Sequence, residues 1–217
     1  MKKRRLLVSL FLYFCNMQDT YTTILQPAEG YITEKKSKFL SFILHVENTE
    51  EIKEIIEQYR KKYYDARHVC WAYMLGAARD DFRSNDDGEP SGTAGRPILG
   101  QINSAELTDV LILVIRYFGG TLLGTGGLVK AYKEAAAAAI ANATIVEKTV
   151  DDIIHIQFDY VLLNDVMRVL KQVEEVTWKQ DFGEVCSMIL HVRKSLKEQL
   201  TTLLSGIYGV KILSSEN

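Results

Sequence analysis

The chain has 217 residues, 47% hydrophobic and 25% charged, with a net charge of −2. That is room for two small folded domains, and the apolar content argues against disorder. The slightly acidic total excludes a basic field over the whole surface, so any nucleic-acid binding needs a local patch. The first seventeen residues carry four cations, Lys2 to Arg5; the segments 18–150 and 151–217 are both net acidic. Cys15, Cys70 and Cys186 are far apart with no C-x-x-C. This spacing fits reduced structural thiols and gives no zinc site.

The first sixteen residues resemble a short signal peptide, with a basic start and an apolar stretch from 6 to 14. No small-x-small cleavage site follows, and the stretch is too short to span a bilayer. The simpler expectation is a leader or gene-model extension over 1–17, with Met17 as the natural start. Residues 31–46 read as a hairpin turning at Lys35-Lys36-Ser37. Asn48 caps the next helix and Glu51 reaches back. Ile52, Ile55, Ile56, Tyr59 and Tyr63 form its apolar face. The basic cluster Arg60-Lys61-Lys62 ends it, where cations suit the helix dipole.

Residues 68–75 read as a strand. Val69, Trp71, Tyr73 and Leu75 lie on one face, and His68, Cys70, Ala72 and Met74 on the other. The polar stretch 76–83 reads as the exposed end of a hairpin. An amphipathic segment over 98–107 precedes a continuous apolar strand over 110–115. The alanine-rich segment 130–141 is a helix, starting at about Gly127, whose small residues allow close packing on a sheet. Residues 144–149 form a closing strand. Beyond Asp151-Asp152 the pattern is strand 153–159, helix 162–173, strands 175–182 and 184–192, helix 194–204 and strand 208–213. That is the split βαββαβ arrangement. It is expected to fold autonomously as residues 151–217, after a first domain over 18–150.

Two glycine-rich loops flank the central strand: D-D-G-E-P-S-G-T-A-G-R-P over 86–97 and R-Y-F-G-G-T-L-L-G-T-G-G-L-V-K over 116–130. Glycine permits positive φ and close approach of the main chain. The second loop runs into a helix start, where backbone N–H groups lack intrahelical partners and favour an anion. The nucleotide signatures fail, however. Thr125 stands where a P-loop needs lysine, and Val129 where a dinucleotide fingerprint needs its third glycine. The acidic run Asp80, Asp81, Asp86, Asp87 and Glu89 fails the calcium-loop template and reads as a solvated turn. Ser91 is not in a nucleophile elbow. His68 has suitable chemistry but no partner visible in the sequence. His45, His155 and His191 are isolated. Trp178 and Tyr160 suit base stacking or, more commonly, core packing.

The two loops, with G-Y-I-T-E-K-K-S-K-F-L from Gly30 and H-V-C-W-A-Y from His68, closely resemble the IMPACT/YigZ family. The resemblance covers nearly all of the chain after residue 20. It implies an α+β architecture: an N-terminal domain with the fold of a small-subunit ribosomal protein, shared with some translation factors and small-molecule kinases, its helices packed on a mixed sheet. It also implies a C-terminal ferredoxin-like domain similar to one of elongation factor G. It implies a cytoplasmic protein with no established catalytic activity, whose partners are RNA, the ribosome or a translation-associated protein, with no membrane. Eukaryotic relatives regulate translation by competing for an activator of a kinase that phosphorylates an initiation factor. G-T-G-G-L-V is similar to the phosphate loop of the related kinases but lacks their serine pair. The alternative is therefore a phosphate- or nucleotide-binding enzyme acting on a small molecule.

The expected site joins the two loops. Arg116, Gly119, Gly120, Gly124, Gly126, Gly127 and Lys130 would bind an anionic group. Asp86, Asp87, Glu89, Ser91, Thr93 and Arg96 would line the facing loop, and His68 is a further candidate. No metal, cofactor or catalytic residue is assigned. If the loop needs positive φ at Gly126, valine there would harm both folding and binding.

Overall fold

The computed structural model describes residues 19–183 and 185–213. The leader over 1–17 lies outside the described residues. The chain divides into two compact units. One comprises residues 21–148, the other residues 149–213 together with Asp19 and Thr20.

The first unit is built on a five-stranded antiparallel sheet of order β2-β3-β6-β4-β5. Its strands are β2 (Ala28–Glu34), β3 (Ser37–His45), β4 (His68–Leu75), β5 (Asp81–Asn85) and β6 (Val110–Tyr117). The central strand β6 is buried on both faces, which is why its sequence is continuously apolar. Val110, Ile112 and Val114 meet α2 (Gly95–Ser104) and α3 (Gly124–Ala141). Leu111, Leu113 and Ile115 meet α1 (Thr49–Lys62). The alternation read for 68–75 holds. Cys70, Ala72 and Met74 face α2 and α3, and Val69, Tyr73 and Leu75 face α1. A separate two-stranded pair joins β1 (Thr20–Ile24) to β7 (Ile145–Thr149).

The capping expectation for α1 is met. Asn48 Oδ1 accepts from the Glu51 N–H at 2.9 Å, and the Glu51 carboxylate returns to the Glu47 N–H at 2.9 Å. The hairpin turns at Lys35 and Lys36, both at positive φ. Residues 81–85 form an edge strand that the sequence hid. All five are exposed, so no apolar alternation marks them. Both middle helices begin earlier than their apolar residues suggest, at Gly95 and at Gly124. At α2 the Asp86 carboxylate accepts from the Ala94 and Gly95 N–H groups and so caps the earlier start, which weak glycine propensity does not prevent. The alanine face of α3 lies directly on the sheet. A Cβ on Gly30 would come within 2.5 Å of the Ala139 nitrogen, and Ser41 Oγ donates to the Ala135 carbonyl at 2.6 Å.

The second unit has a four-stranded antiparallel sheet of order β11-β8-β10-β9. The strands are β8 (Asp151–Phe158), β9 (Thr177–Phe182), β10 (Cys186–Arg193) and β11 (Lys211–Leu213). Helices α4 (Leu163–Leu170) and α5 (Lys197–Ser205), each led in by a 3-10 turn, complete the βαββαβ order. This is the ferredoxin-like arrangement. Trp178 packs against the core of this unit. Asp19 belongs here despite its position in the sequence. Its carboxylate accepts from Ser195 N at 2.9 Å and Ser195 Oγ at 2.6 Å, and its carbonyl from Val150 N at 2.8 Å. It thereby caps the turn that opens α5, a role usually filled by a local residue. Asp19→Ala should destabilise this unit by roughly 1–2 kcal/mol. Hydrogen exchange of the β8 and β10 amides reads the loss directly, and unchanged protection would contradict the role.

Candidate functional site

The first glycine-dotted loop is held by its own acids. Asp86 accepts from the N–H groups of Gly92 (2.8 Å), Ala94 (2.9 Å) and Gly95 (2.8 Å), closing the loop onto the start of α2. Burial opposes its charge. The donors of Gly92, Gly95 and Ala94, with Arg96 nearby, outweigh it and hold the carboxyl below its ordinary value. Asp87 sits at positive φ; its carboxylate accepts from Val69 N at 2.7 Å and pairs with Arg60 at 2.6 Å. Asp80 and Asp81 are exposed, as expected from the sequence, whereas Asp86 and Asp87 are a pair of inward clamps. Thr93 closes the turn through Oγ1 to the Pro90 carbonyl at 2.6 Å. Ser91 and Arg96 are exposed.

Glu89 is buried, and so is Arg116. Glu89 Oε1 accepts from Arg116 Nη1 at 2.5 Å and from the Tyr132 hydroxyl at 2.9 Å. The Arg116 guanidinium also lies over the rings of Phe39 and Phe118, at 5.6 and 5.7 Å from their centroids. Its Nε is buried without a hydrogen-bond partner. The Cys70 thiol lies 3.0 Å from the Asp86 carbonyl and 3.3 Å from the Tyr132 oxygen. Burial pushes both that thiol and the Tyr132 phenol up, keeping them protonated. His68 sits beside the cluster with Nδ1 2.7 Å from the Asp87 carbonyl. A carbonyl only accepts, so Nδ1 carries the proton. Nε2 then faces Glu89 Oε1 at 3.7 Å.

Strand register makes this meeting possible. His68 and Phe39 are the direct cross-strand partners of Arg116 on β4 and β3. Above them lies a cavity of about 460 Å³. His68, Glu89 and Arg116 contribute polar groups, with Arg67 beside them. Phe118, Leu122 and Leu128 supply apolar wall, and Gly124 and Thr125 bring the first turn of α3. Arg67, Leu122 and Tyr132 carried no sequence signal for this role.

The glycines divide by task. A Cβ on Gly119 would fall 2.1 Å from the Lys36 carbonyl carbon, so this glycine seats the loop on the β2–β3 turn. Gly120 and Gly124 have positive φ and open space around them. Gly126 has neither positive φ nor a close neighbour, so the expectation of strain there is corrected. Gly127 packs near Leu123. Lys130 lies outside the cavity lining, and its ammonium is 3.8 Å from Glu134. Among the described residues there is no group of three or more His, Cys, Asp or Glu side chains placed to hold a metal ion.

Fold and loops define a two-unit α+β protein whose N-terminal unit carries a glycine-rich strand-to-helix loop over a buried arginine. Comparison with known proteins agrees. The family described as the Impact N-terminal domain matches residues 35–140. The IMPACT family member YvyE of Bacillus subtilis is 31% identical over 90% of this chain and 92% of its own length. YigZ of Escherichia coli is 37% identical over 68% of this chain and 74% of its own. A crystal structure described as that of a hypothetical protein, 29% identical, superposes with a TM-score of 0.68 over 92% of this chain and 98% of its own. The chain belongs to the IMPACT family.

The site predicts a pair of contrasting substitutions. Gly124→Ala should cost roughly 1–2 kcal/mol through left-handed strain. Gly126→Ala should be neutral or stabilising by up to about 1 kcal/mol, as alanine suits a helix better. Urea melts compare the two, and equal effects would contradict the assignment. Asp86 adds a pH signature. Its depressed carboxyl contributes stability above the unfolded value of about 3.9, and this is lost as pH falls through the folded value. Asp86→Asn should flatten the acid limb of the stability profile. A limb identical to wild type would contradict the clamp.

Proposed function

We propose that this chain is a non-catalytic, translation-linked binding protein. Its cavity over Arg116 receives an anionic group of RNA, the ribosome or a translation-associated protein. The observation that carries this reading is the buried guanidinium at the cavity beside the first turn of α3. Free N–H groups of a helix start and a desolvated arginine both favour an anion. Arg116 is paired with Glu89 through Nη1, and its Nε is the buried donor left without a partner. Glu89 already accepts from two donors, and burial keeps Cys70 and Tyr132 protonated, so neither serves as a nucleophile. The family resemblance supplies the link to translation. Among the described residues no helix is long and apolar enough to cross a membrane.

One observation favours the second reading, an enzyme acting on a phosphorylated small molecule. His68 Nε2 lies beside the cavity with its tautomer set from behind, an arrangement suited to proton transfer.

Co-sedimentation with ribosomal subunits at two salt concentrations tests the binding reading. Wild type should pellet at low salt and less at high salt. Leu122→Glu places a repelling charge on an 82% exposed rim residue. It should weaken binding about tenfold, or ~1.4 kcal/mol, without unfolding the protein. Lys130→Ala should behave as wild type. No pelleting, or pelleting indifferent to salt and to Leu122→Glu, would remove the reading. Turnover of a phosphorylated metabolite lost in His68→Ala would establish the enzyme instead.

A further inference from the structure

A second cavity of about 500 Å³ adjoins the end of the same sheet, lined by Tyr31, Lys36, Lys38, Leu40, Tyr117 and Phe118. It shares Phe118 with the first. Three features give it a chemical character. It has two lysines and no acid in its lining, and among the described residues the one carboxylate bonded to a lining side chain is Asp65, which accepts from the Tyr117 hydroxyl at 2.9 Å. Among the described residues, no carboxylate forms an ion pair with Lys35, Lys36 or Lys38. Its aromatic members include Tyr31 and Phe118, which are 56% and 48% exposed. Both rings thus offer open surface around one cavity.

The turn above it adds an independent sign. Lys35 and Lys36 sit at φ 44° and 67°, where a two-residue hairpin turn favours asparagine and glycine. Lysine there is held against its backbone preference, a pattern associated with functional positions. Lys38 stands directly across from Tyr117, one position along from the Phe39–Arg116 pair. The strand alternation puts Lys38 and Tyr117 on the sheet face opposite Arg116. Phe118, at the strand end, is the hinge between the two cavities.

Paired lysines next to exposed aromatic rings are the elements of a single-strand site: cations track phosphates and rings stack on bases. An acidic peptide would use the lysines but leave the rings idle. We infer that the edge formed by Tyr31, Lys36, Lys38, Tyr117 and Phe118 binds single-stranded RNA, which continues round Phe118 to set a phosphate at the Arg116 cavity. This rests on the translation-linked reading above and names the ligand class and path for that site.

Fluorescence anisotropy of the full chain with labelled oligouridine tests the inference. Wild type should bind at low salt. Lys36→Gly and Lys38→Ala should each weaken binding about threefold or more and flatten the slope of log K against log salt by about 0.7. Phe118→Ala should weaken it with little change of slope, since stacking releases no counterion. Lys36→Gly should melt no lower than wild type, because glycine suits the turn. Loss of affinity without loss of stability in that variant separates binding from folding. No binding at low salt, equal affinity in all variants, or displacement by hexaglutamate at equal anion concentration would overturn the inference. Oligouridine failing while ribosomal subunits still pellet would overturn this inference alone.

Discussion

The buried pair of Glu89 and Arg116 is the constraint on which the site depends. Each is more than nine-tenths shielded from solvent, so neither tolerates loss of the other. Breaking such a pair costs about 3–5 kcal/mol, because a charge is left buried and alone. The pair joins the loop of residues 86–97 to the end of β6, and Tyr132 ties the same carboxylate to α3. One carboxylate thus fixes the relative positions of a loop, a strand and a helix. Arginine suits the position better than lysine would, since a flat guanidinium lies over Phe39 and Phe118 while bonding in its own plane.

Further contacts hold the glycine-dotted loops in place. Asp86 and Asp87 consume backbone donors from Val69, Gly92, Ala94 and Gly95. Gly119 lies flush against the β2–β3 turn. The result is a pre-formed cavity with a charged floor and an apolar rim, and an organised site loses little conformational freedom when a ligand enters.

The sequence revealed the architecture where burial follows a simple period. Val110 to Ile115 read as a strand buried on both faces, the two faces of β4 were assigned residue by residue, and the βαββαβ order of the second unit was legible from its apolar spacing. It concealed the elements that tertiary contacts create. The edge strand β5 has no buried residue to mark it. Asp19 caps a turn 176 residues away, which no local pattern announces. Within the site, Arg116 and Glu89 were singled out as members of two facing loops, but nothing in their separate motifs shows that they bond each other. Asp86, Asp87 and Glu89 read as one solvated run with the exposed Asp80 and Asp81, because inward and outward carboxylates look the same in sequence. Lys36 and Lys38 read as turn and strand residues, and the cavity beside them emerges only from the register of β2, β3 and β6.

The central claim is that a ligand phosphate settles over Arg116 at the start of α3. Nitrogen-15 NMR of the full chain titrated with oligouridine tests it most directly, through the Arg116 Nε–H and the Gly124 and Thr125 amides. The account predicts saturable shifts of all three signals with one common dissociation constant, since they border one cavity. Shifts confined to residues 149–213, with these three signals unmoved at saturation, would contradict it.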